Sequence, residues 1–252
     1  MIAGSVPDHV ITRAGAQVHI RWSQRHHGDF HIEQPRDSLD VRRREFVDLP
    51  WSQPDEVHGT TIGVVARPGD CDGAVFDGLV TDLDDVVLGI WVGDCAPVAL
   101  VSERGRIGAV HAGWRGLEAG VLAAGVAAMR TSVDEPVEAV LGPCIHPCCY
   151  EFSPDDLNRV AARFSPAVVG RTREGAPALD MPAAVRAALA EAGVGLRDAS
   201  VCTGCNGDTY FSHRARGERG RQMMAVWRTV TAVTTVATTT TTTTGGGGGQ
   251  EP

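Results

Sequence analysis

Three side chains that can bind a metal lie beside glycine or proline in the first half of the sequence. His58 precedes a glycine, Cys95 lies in the segment GDCAP at 93–97, and His111 begins the segment HAGWRG at 111–116. Each lies next to the end of a predicted strand. The strand would hold the side chain rigidly, and the small neighbouring residues would leave space for a bound ligand. Two imidazoles and one thiolate suit zinc, and three protein ligands leave a fourth position open, as in catalytic sites. Taken singly, each histidine also fits a hydrogen-bonded loop residue, so the joint pattern carries the prediction.

The elements that must position these side chains are mostly strands. Short runs of β-branched and apolar residues predict strands at 17–22, 61–66, 86–92, 97–101, 106–111, 137–141 and 223–227. Helical spacing and capping residues predict helices at 117–130, 153–164 and 180–192. Strands follow one another rather than alternate strictly with helices, which favours an α+β fold with mixed sheets.

Composition limits the classes of function. With 43% hydrophobic residues among 252, the chain can bury a sizeable core and is not disordered throughout. A net charge of −8 without a basic stripe argues against nucleic acid as a partner. Neither a signal-like start nor a run of about 18 apolar residues is present, so we expect a cytoplasmic protein with no membrane partner, a monomer or a weak oligomer. Seven cysteines, an odd number, favour reduced thiols with metal or nucleophile chemistry over a disulfide framework.

The composition changes near the C-terminus. A run of threonines is followed there by a run of glycines, and neither can bury enough apolar surface to fold. We therefore predict one domain over residues 1–228 and a disordered Thr- and Gly-rich tail over 229–252, with no catalytic role.

Several motifs occur together in a characteristic order. They are DCAP at 94–97, HAGWRG at 111–116, GPCI at 142–145, CYE at 149–151, CT at 202–203 and FSHR at 211–214. Together they resemble the YfiH-like family, also called multicopper polyphenol oxidase or laccase-domain proteins, over about residues 15–228. The HAGWRG segment with the preceding Asp-Cys pair is the most specific part of the resemblance.

The resemblance implies a fold, an activity and a set of site residues. It implies a four-layer α/β/β/α sandwich and a zinc-dependent purine nucleoside phosphorylase that also deaminates adenosine and cleaves methylthioadenosine. The metal ligands that it implies are His58, Cys95 and His111, the same three that the local pattern selects. Two neighbours differ from the family pattern, because Glu56 replaces a glutamine and Gly93 replaces an alanine. A glutamate near the metal could repel an anionic substrate such as phosphate.

Four further residues are candidates for binding or catalysis. Arg115 could clamp phosphate or a ribose hydroxyl in a bidentate way, or could simply stack on the preceding tryptophan. Arg25 aligns with a family arginine and is predicted to face the substrate. Tyr150 and Phe211 could offer aromatic faces to a purine, or could be plain core residues. We predict catalytic roles for Arg25 and Arg115 beside Cys95 and His111.

Other interpretations stay open at the level of sequence. Without a metal, Cys95 and His111 could act as nucleophile and base of a cysteine hydrolase. Copper-dependent oxidation of phenols follows from the family's older name, but the nine histidines show no His-x-His clustering, so copper is less favoured than zinc. A protein with a purely structural zinc is also possible. Cysteine and histidine side chains in the segments 142–149 and 202–205 could form a second, closed zinc site. Alternatively, Pro143 and Pro147 stiffen a loop that only forms a wall of the cleft.

Overall fold

The computed structural model describes residues 6–230. Thirteen strands are found there: β1 His9–Arg13, β2 Ala16–Trp22, β3 Trp51–Ser52, β4 Ile62–Val64, β5 Gly78–Thr81, β6 Val87–Val92, β7 Ala96–Ser102, β8 Ile107–Ala112, β9 Val137–Leu141, β10 Val169–Arg171, β11 Pro177–Leu179, β12 Gly195–Asp198 and β13 Gln222–Val230. The helices are α1 Arg36–Phe46, α2 Trp114–Ala119, α3 Val121–Met129, α4 Pro154–Arg163, α5 Met181–Glu191 and α6 His213–Arg216, with short 3-10 turns at Arg25–His27, Pro147–Cys149 and Pro166–Val168. None of these helices is long and apolar enough to cross a membrane.

The strands form two mixed sheets and one small hairpin. One sheet has the order β1-β2-β13-β6-β3, the other has the order β12-β9-β7-β8-β5-β4, and β10 pairs with β11. The predicted α+β class with mixed sheets is confirmed. The seven predicted strands correspond to β2, β4, β6, β7, β8, β9 and β13.

Three hydrophobic cores separate four layers. Along β7, Val98 and Leu100 pack with the core formed by helices α2 to α5, while Ala99 and Val101 pack with the core between the two sheets. This alternation follows from the two-residue period of a strand. A third core packs α1 against the outer face of the first sheet. The layers are therefore α/β/β/α, as the family resemblance implies.

The predicted helix over 117–130 is wrong in its extent. The structure has two helices, α2 and α3, joined at Gly120. Gly120 has a φ of 96°, in the left-handed region that a glycine adopts at little cost. The break turns the chain by ending α2 with the left-handed cap that is common at helix C-termini.

The other two predicted helices are found as α4 and α5. Ser153 accepts a hydrogen bond from the backbone of Asp156 at the start of α4, and Asp180 caps α5 through the backbone of Ala183. The last strand continues to Val230. The tail predicted over 229–252 otherwise lies outside the described residues and stays a prediction.

Candidate metal centre and active site

The centre of the site consists of His58, Cys95 and His111. Their donor atoms all lie within 4.8 Å of one another. The rings of His58 and His111 are 4.9 Å apart, at an interplanar angle of 64°. His111 lies in β8, Cys95 directly precedes β7, and His58 lies in the loop before β4. The structure thus brings together the three predicted ligands.

The sheet register explains why they meet. Pro97 in β7 pairs with His111 in β8, so Cys95 emerges at the same end of the sheet. On the other side of β8, the backbone N–H of His111 donates to the carbonyl of Asp77, just before β5. The neighbouring strands β7, β8 and β5 therefore bring Cys95, His111 and Asp77 to one end of the sheet.

Asp77 holds both histidines in place. Its buried carboxylate accepts hydrogen bonds from the backbone N–H groups of His58 (2.8 Å) and Gly59 (2.6 Å). It also lies 2.9 Å from Nδ1 of His111. A proton on Nδ1 leaves the Nε2 lone pair of His111 free for a metal, the usual role of a carboxylate behind a metal-binding histidine. The first two bonds support His58 at its unusual φ of 62°.

Sequence reasoning missed Asp77. Burial acts to raise its pKa, but the hydrogen bonds from His111, Gly59 and His58 outweigh burial and lower the pKa below its ordinary value. The residue is therefore a carboxylate at neutral pH. The only sequence signal was an aspartate directly before a glycine at the start of a strand, which is too common to single it out.

Cys95 is poised as a thiolate. Burial acts to raise its pKa, but the charge and hydrogen bond of His111, together with those of His58, lower the pKa to about 6. Burial likewise opposes the charge on His111, whose pKa is nevertheless raised by Glu56, Cys95 and Asp77. Zinc requires the thiolate form of Cys95 and the neutral form of both histidines, so metal binding would displace the additional proton that this environment favours on His111. The donor set therefore fits a single soft or borderline ion.

Glu56 lines the same cavity as the three donors. Its Oε1 accepts a hydrogen bond from the backbone of Trp91 at 2.9 Å. Its buried Oε2 is 3.5 Å from Nδ1 of His111 and has no hydrogen-bond partner within the described residues. Burial raises the pKa of Glu56 to about 8, against the opposing effects of His111 and Trp91. The glutamate that departs from the family pattern is thus a buried wall residue whose environment disfavours charge.

Glycine at 113 is required by the closeness of the donors. A Cβ at Gly113 would lie 3.1 Å from Cδ2 of His58 and 3.3 Å from Sγ of Cys95. A Cβ at Gly116 would lie 3.1 Å from the carbonyl oxygen of Gly59. The glycines of HAGWRG therefore let α2 approach the donors closely.

The donors face a cavity of about 320 Å³, within the usual size range of small-molecule sites. Its wall also contains Trp91, Arg115 and Tyr150. Arg115 is exposed, and its guanidinium lies 4.3 Å from the ring centroid of Trp114. Arg115 therefore stacks on the tryptophan and also lines the cavity. Tyr150 is buried, with the guanidinium of Arg214 4.8 Å from its ring centroid.

Asp94 organises the opposite wall. It accepts hydrogen bonds from the hydroxyl of Thr203 (2.6 Å), the hydroxyl of Ser212 (2.7 Å) and the backbone N–H of Arg214 (2.6 Å). Burial raises the pKa of Asp94 although these three bonds oppose the effect. The two residues of the Asp-Cys pair thus differ in role. Asp94 holds one wall of the cavity in place, and Cys95 supplies one of the three donor atoms.

Two predicted residues lie elsewhere. Of the residues described, Arg25 and Phe211 do not line this cavity. Arg25 donates to the carbonyls of Gly207 and Tyr210 and pairs with Glu218 at 2.7 Å. Its guanidinium lies 4.5 Å from the ring centroid of Phe211. In this structure both residues hold the loop at 207–218 together.

Fold and site together define an α/β/β/α protein in which three side chains that could hold a metal ion line one cavity. The chain belongs to the family described as multi-copper polyphenol oxidoreductase laccase, whose model matches residues 13–229. Among its relatives, purine nucleoside phosphorylase YlmD of Geobacillus stearothermophilus is 33% identical over 223 residues, covering 79% of this chain and 81% of the relative. Purine nucleoside phosphorylase SCO2081 of Streptomyces coelicolor is 38% identical over 177 residues, covering 68% and 72%.

Solved structures agree with this membership. The crystal structure of YlmD from Geobacillus stearothermophilus aligns with a TM-score of 0.74 and 26% identity, covering 88% of this chain and all of that one (100%). Neisseria meningitidis protein NMB0706 aligns with a TM-score of 0.73 and 26% identity, covering 88% and 99%. Another relative, adenosine deaminase RL5 from an unknown prokaryotic organism, is 31% identical over 162 residues, covering 60% of this chain and 62% of the relative.

Proposed function

We propose that this chain is a zinc-dependent purine nucleoside phosphorylase that cleaves adenosine, inosine, guanosine and methylthioadenosine with phosphate and also deaminates adenosine. The observation that carries the proposal is the convergence of His58, Cys95 and His111 on the wall of a cavity of about 320 Å³, within the usual size range of small-molecule sites. The names of the relatives, purine nucleoside phosphorylase and adenosine deaminase, supply the substrate class.

His58, Cys95 and His111 would hold the ion and leave its fourth position to the cavity. Zinc bound there would act as a Lewis acid, polarising a substrate oxygen or lowering the pKa of a bound water. Asp77 keeps the proton of His111 on Nδ1, away from the metal side of the ring.

The cavity wall supplies the groups that bind the two substrates. Arg115 is exposed and makes no hydrogen bond or ion pair to any residue in the range 6–230, so its N–H groups are available to a phosphate. By contrast, Arg221 is occupied by the carbonyls of Glu218, Arg219 and Gly220. Trp91 and Tyr150 line the cavity as aromatic surfaces for a base. Burial raises the pKa of Glu56, which disfavours its charged form and so weakens its repulsion of an anion.

One observation favours a second candidate. A thiol with a pKa of about 6 beside an imidazole also suits the nucleophile of a cysteine hydrolase. Under that alternative, a chelator leaves activity intact and alkylation of Cys95 is fast in metal-free protein. Under the proposed function, bound zinc protects Cys95 from alkylation, and a chelator that removes the zinc makes Cys95 reactive.

Copper-dependent oxidation has less support from the donor sets. Within residues 6–230, two groups of side chains are arranged to hold a metal, and neither contains more than two histidines. A multicopper centre needs several imidazole-rich sites close together.

The proposed function is tested by incubating the zinc-loaded protein with adenosine and with inosine, with and without phosphate. We expect base release from both nucleosides only when phosphate is present. We expect ammonia from adenosine and none from inosine. The matched control is protein treated with a chelator and then reloaded with zinc, which should lose and regain both activities. Turnover of neither nucleoside, or activity insensitive to chelation, would overturn the proposal.

A further inference from the structure

Four cysteines outside the cavity converge on one point. Cys148 and Cys149 lie in the 3-10 turn after β9, and Cys202 and Cys205 lie in the loop after β12. Their four sulfur atoms are all within 4.8 Å of one another. The sulfur of Cys205 is 3.3 Å from that of Cys148 and 3.5 Å from that of Cys149, and Cys148 is 3.6 Å from Cys202.

The backbone is built to bring these loops together. Cys144 and Cys202 form a parallel bridge, in which the N–H of Thr203 donates to the carbonyl of Cys144. Asn206 closes the second loop by donating from its backbone and side chain to the carbonyl of Cys202. A Cβ at Gly204 would lie 2.7 Å from the Cβ of Cys149, so any other residue there would push the loops apart.

We propose that Cys148, Cys149, Cys202 and Cys205 form a second metal site, a closed tetrathiolate that holds one structural zinc ion. Four thiolates are the donor set of many structural zinc sites, and the Cys-x-x-Cys spacing of residues 202–205 is typical of one half of such a site. Tetrahedral coordination at the usual Zn–S distance places sulfur atoms roughly 3.8 Å apart, close to the separations found here.

Two other uses of the four thiols fit less well. A disulfide needs a sulfur–sulfur distance of about 2.05 Å and uses cysteines in pairs, whereas here Cys205 is nearly equidistant from Cys148 and Cys149. An iron–sulfur cluster needs cysteines placed around a core of several atoms, and these sulfurs surround a space suited to one ion.

The surroundings favour a negatively charged sulfur cluster. Arg173 donates to the sulfur of Cys205 at 3.0 Å, and the backbone N–H of His146 donates to the sulfur of Cys202 at 3.4 Å. Four thiolates with one divalent cation carry two net negative charges, and the guanidinium of Arg173 offsets one of them. Four thiolates this close together repel one another, so a cation between them is needed to keep all four sulfurs deprotonated.

This ion would stabilise a wall of the cavity. Tyr150 directly follows Cys149, and Thr203, between Cys202 and Cys205, donates to Asp94. Both residues belong to the walls described above. Because all four positions around the ion are filled by protein thiolates, its role is structural and not catalytic.

The test is the zinc content of the full chain and of three serine variants. We expect two zinc ions per chain in the wild type, one for each donor group. Cys205→Ser should lose one ion and keep the other, and Cys95→Ser should do the same at the other site. Cys71→Ser, at a cysteine outside both groups, is the matched control and should keep two. This design separates failure of the second site from failure of the proposed function.

A spectroscopic measurement on the wild type does not depend on whether the variants fold. Replacement of zinc by cobalt should give the intense charge-transfer and ligand-field absorption of a tetrathiolate site, and this signal should persist in Cys95→Ser. One zinc per chain with no such absorption, bound iron, or a disulfide among these four cysteines in non-reducing mass spectrometry would each overturn the inference.

Discussion

Replacing Asp77 should weaken both the fold and metal binding, because one carboxylate holds three partners. In Asp77→Ala, the N–H groups of His58 and Gly59 and the Nδ1–H of His111 lose their acceptor. Hydrogen bonds to a charged group contribute roughly 1.5–3 kcal/mol each, and bonds that share one carboxylate are not additive. We therefore expect the free energy of unfolding to fall by about 3–5 kcal/mol. Loss of the carboxylate behind a metal-binding histidine should lower zinc affinity by about 10–100-fold.

The conservative variant has a different and smaller effect. In Asp77→Asn, the amide oxygen can take the place of Oδ1 and still accept from the backbone N–H of His58 and from Nδ1 of His111. The NH₂ group then takes the place of Oδ2 and faces the N–H of Gly59. One donor–donor contact should cost about 1–3 kcal/mol. We expect Asn to lie between wild type and Ala in stability and in zinc affinity.

The assay is urea unfolding of the metal-free proteins, with a separate competition titration for zinc, so that ligand binding does not add to the apparent stability. Asp8→Ala is the control, since Asp8 forms an exposed ion pair with Arg21, and such pairs contribute at most about 1 kcal/mol. If Asp77→Ala unfolds at the same urea concentration as Asp8→Ala and binds zinc as tightly, the positioning role assigned to Asp77 is refuted.

Three further predictions follow from single contacts. Gly113→Ala should lower zinc affinity, because the added methyl group would push His58 and Cys95 apart. Gly195→Ala is the control and should leave zinc affinity unchanged, since a Cβ there meets nothing within 4 Å. Equal zinc affinities of the two variants in a competition titration would contradict the close approach at Gly113. Glu135 has its pKa lowered to about 2, chiefly by the backbone N–H of Thr131, so its contribution to stability is present above the unfolded pKa of about 4.3 and is lost as pH falls towards 2. The stability difference between wild type and Glu135→Gln, measured by urea unfolding, should therefore shrink over that range, and a constant difference would refute the assignment. Arg115→Ala should raise KM for phosphate at least tenfold in steady-state kinetics and leave KM for the nucleoside nearly unchanged; the reverse pattern would show that Arg115 binds the nucleoside.

Local sequence patterns predicted most of the strands, because alternating and continuous apolar runs report burial directly. Helix α1 was not predicted, since only Leu39, Arg43 and Phe46 of its residues are buried. The buried Arg43 is held by Gln53 and Asp72, partners in later segments that no local pattern reveals. The break at Gly120 was also missed, because the apolar spacing continues across it.

The site was predictable only where residue type and local spacing were distinctive. His58, Cys95 and His111 have side chains that commonly bind metals and lie within two positions of a glycine, and the structure brings them together. Asp77 acts through sheet register, which sequence alone does not fix. The contacts of Arg25 could not be predicted, because its partners lie more than 180 positions away in the sequence. The motif that aligns Arg25 with the family gives no information on such distant contacts.

The central claim is that Cys95 holds a metal required for nucleoside chemistry. The most direct test measures zinc content and phosphate-dependent base release on the same preparations of wild type, Cys95→Ser and Cys71→Ser. A neutral hydroxyl is a much poorer zinc ligand than a thiolate. We predict that Cys95→Ser lacks one zinc ion relative to wild type and releases no base, while Cys71→Ser matches wild type in both. Full zinc content and turnover in Cys95→Ser would contradict the account.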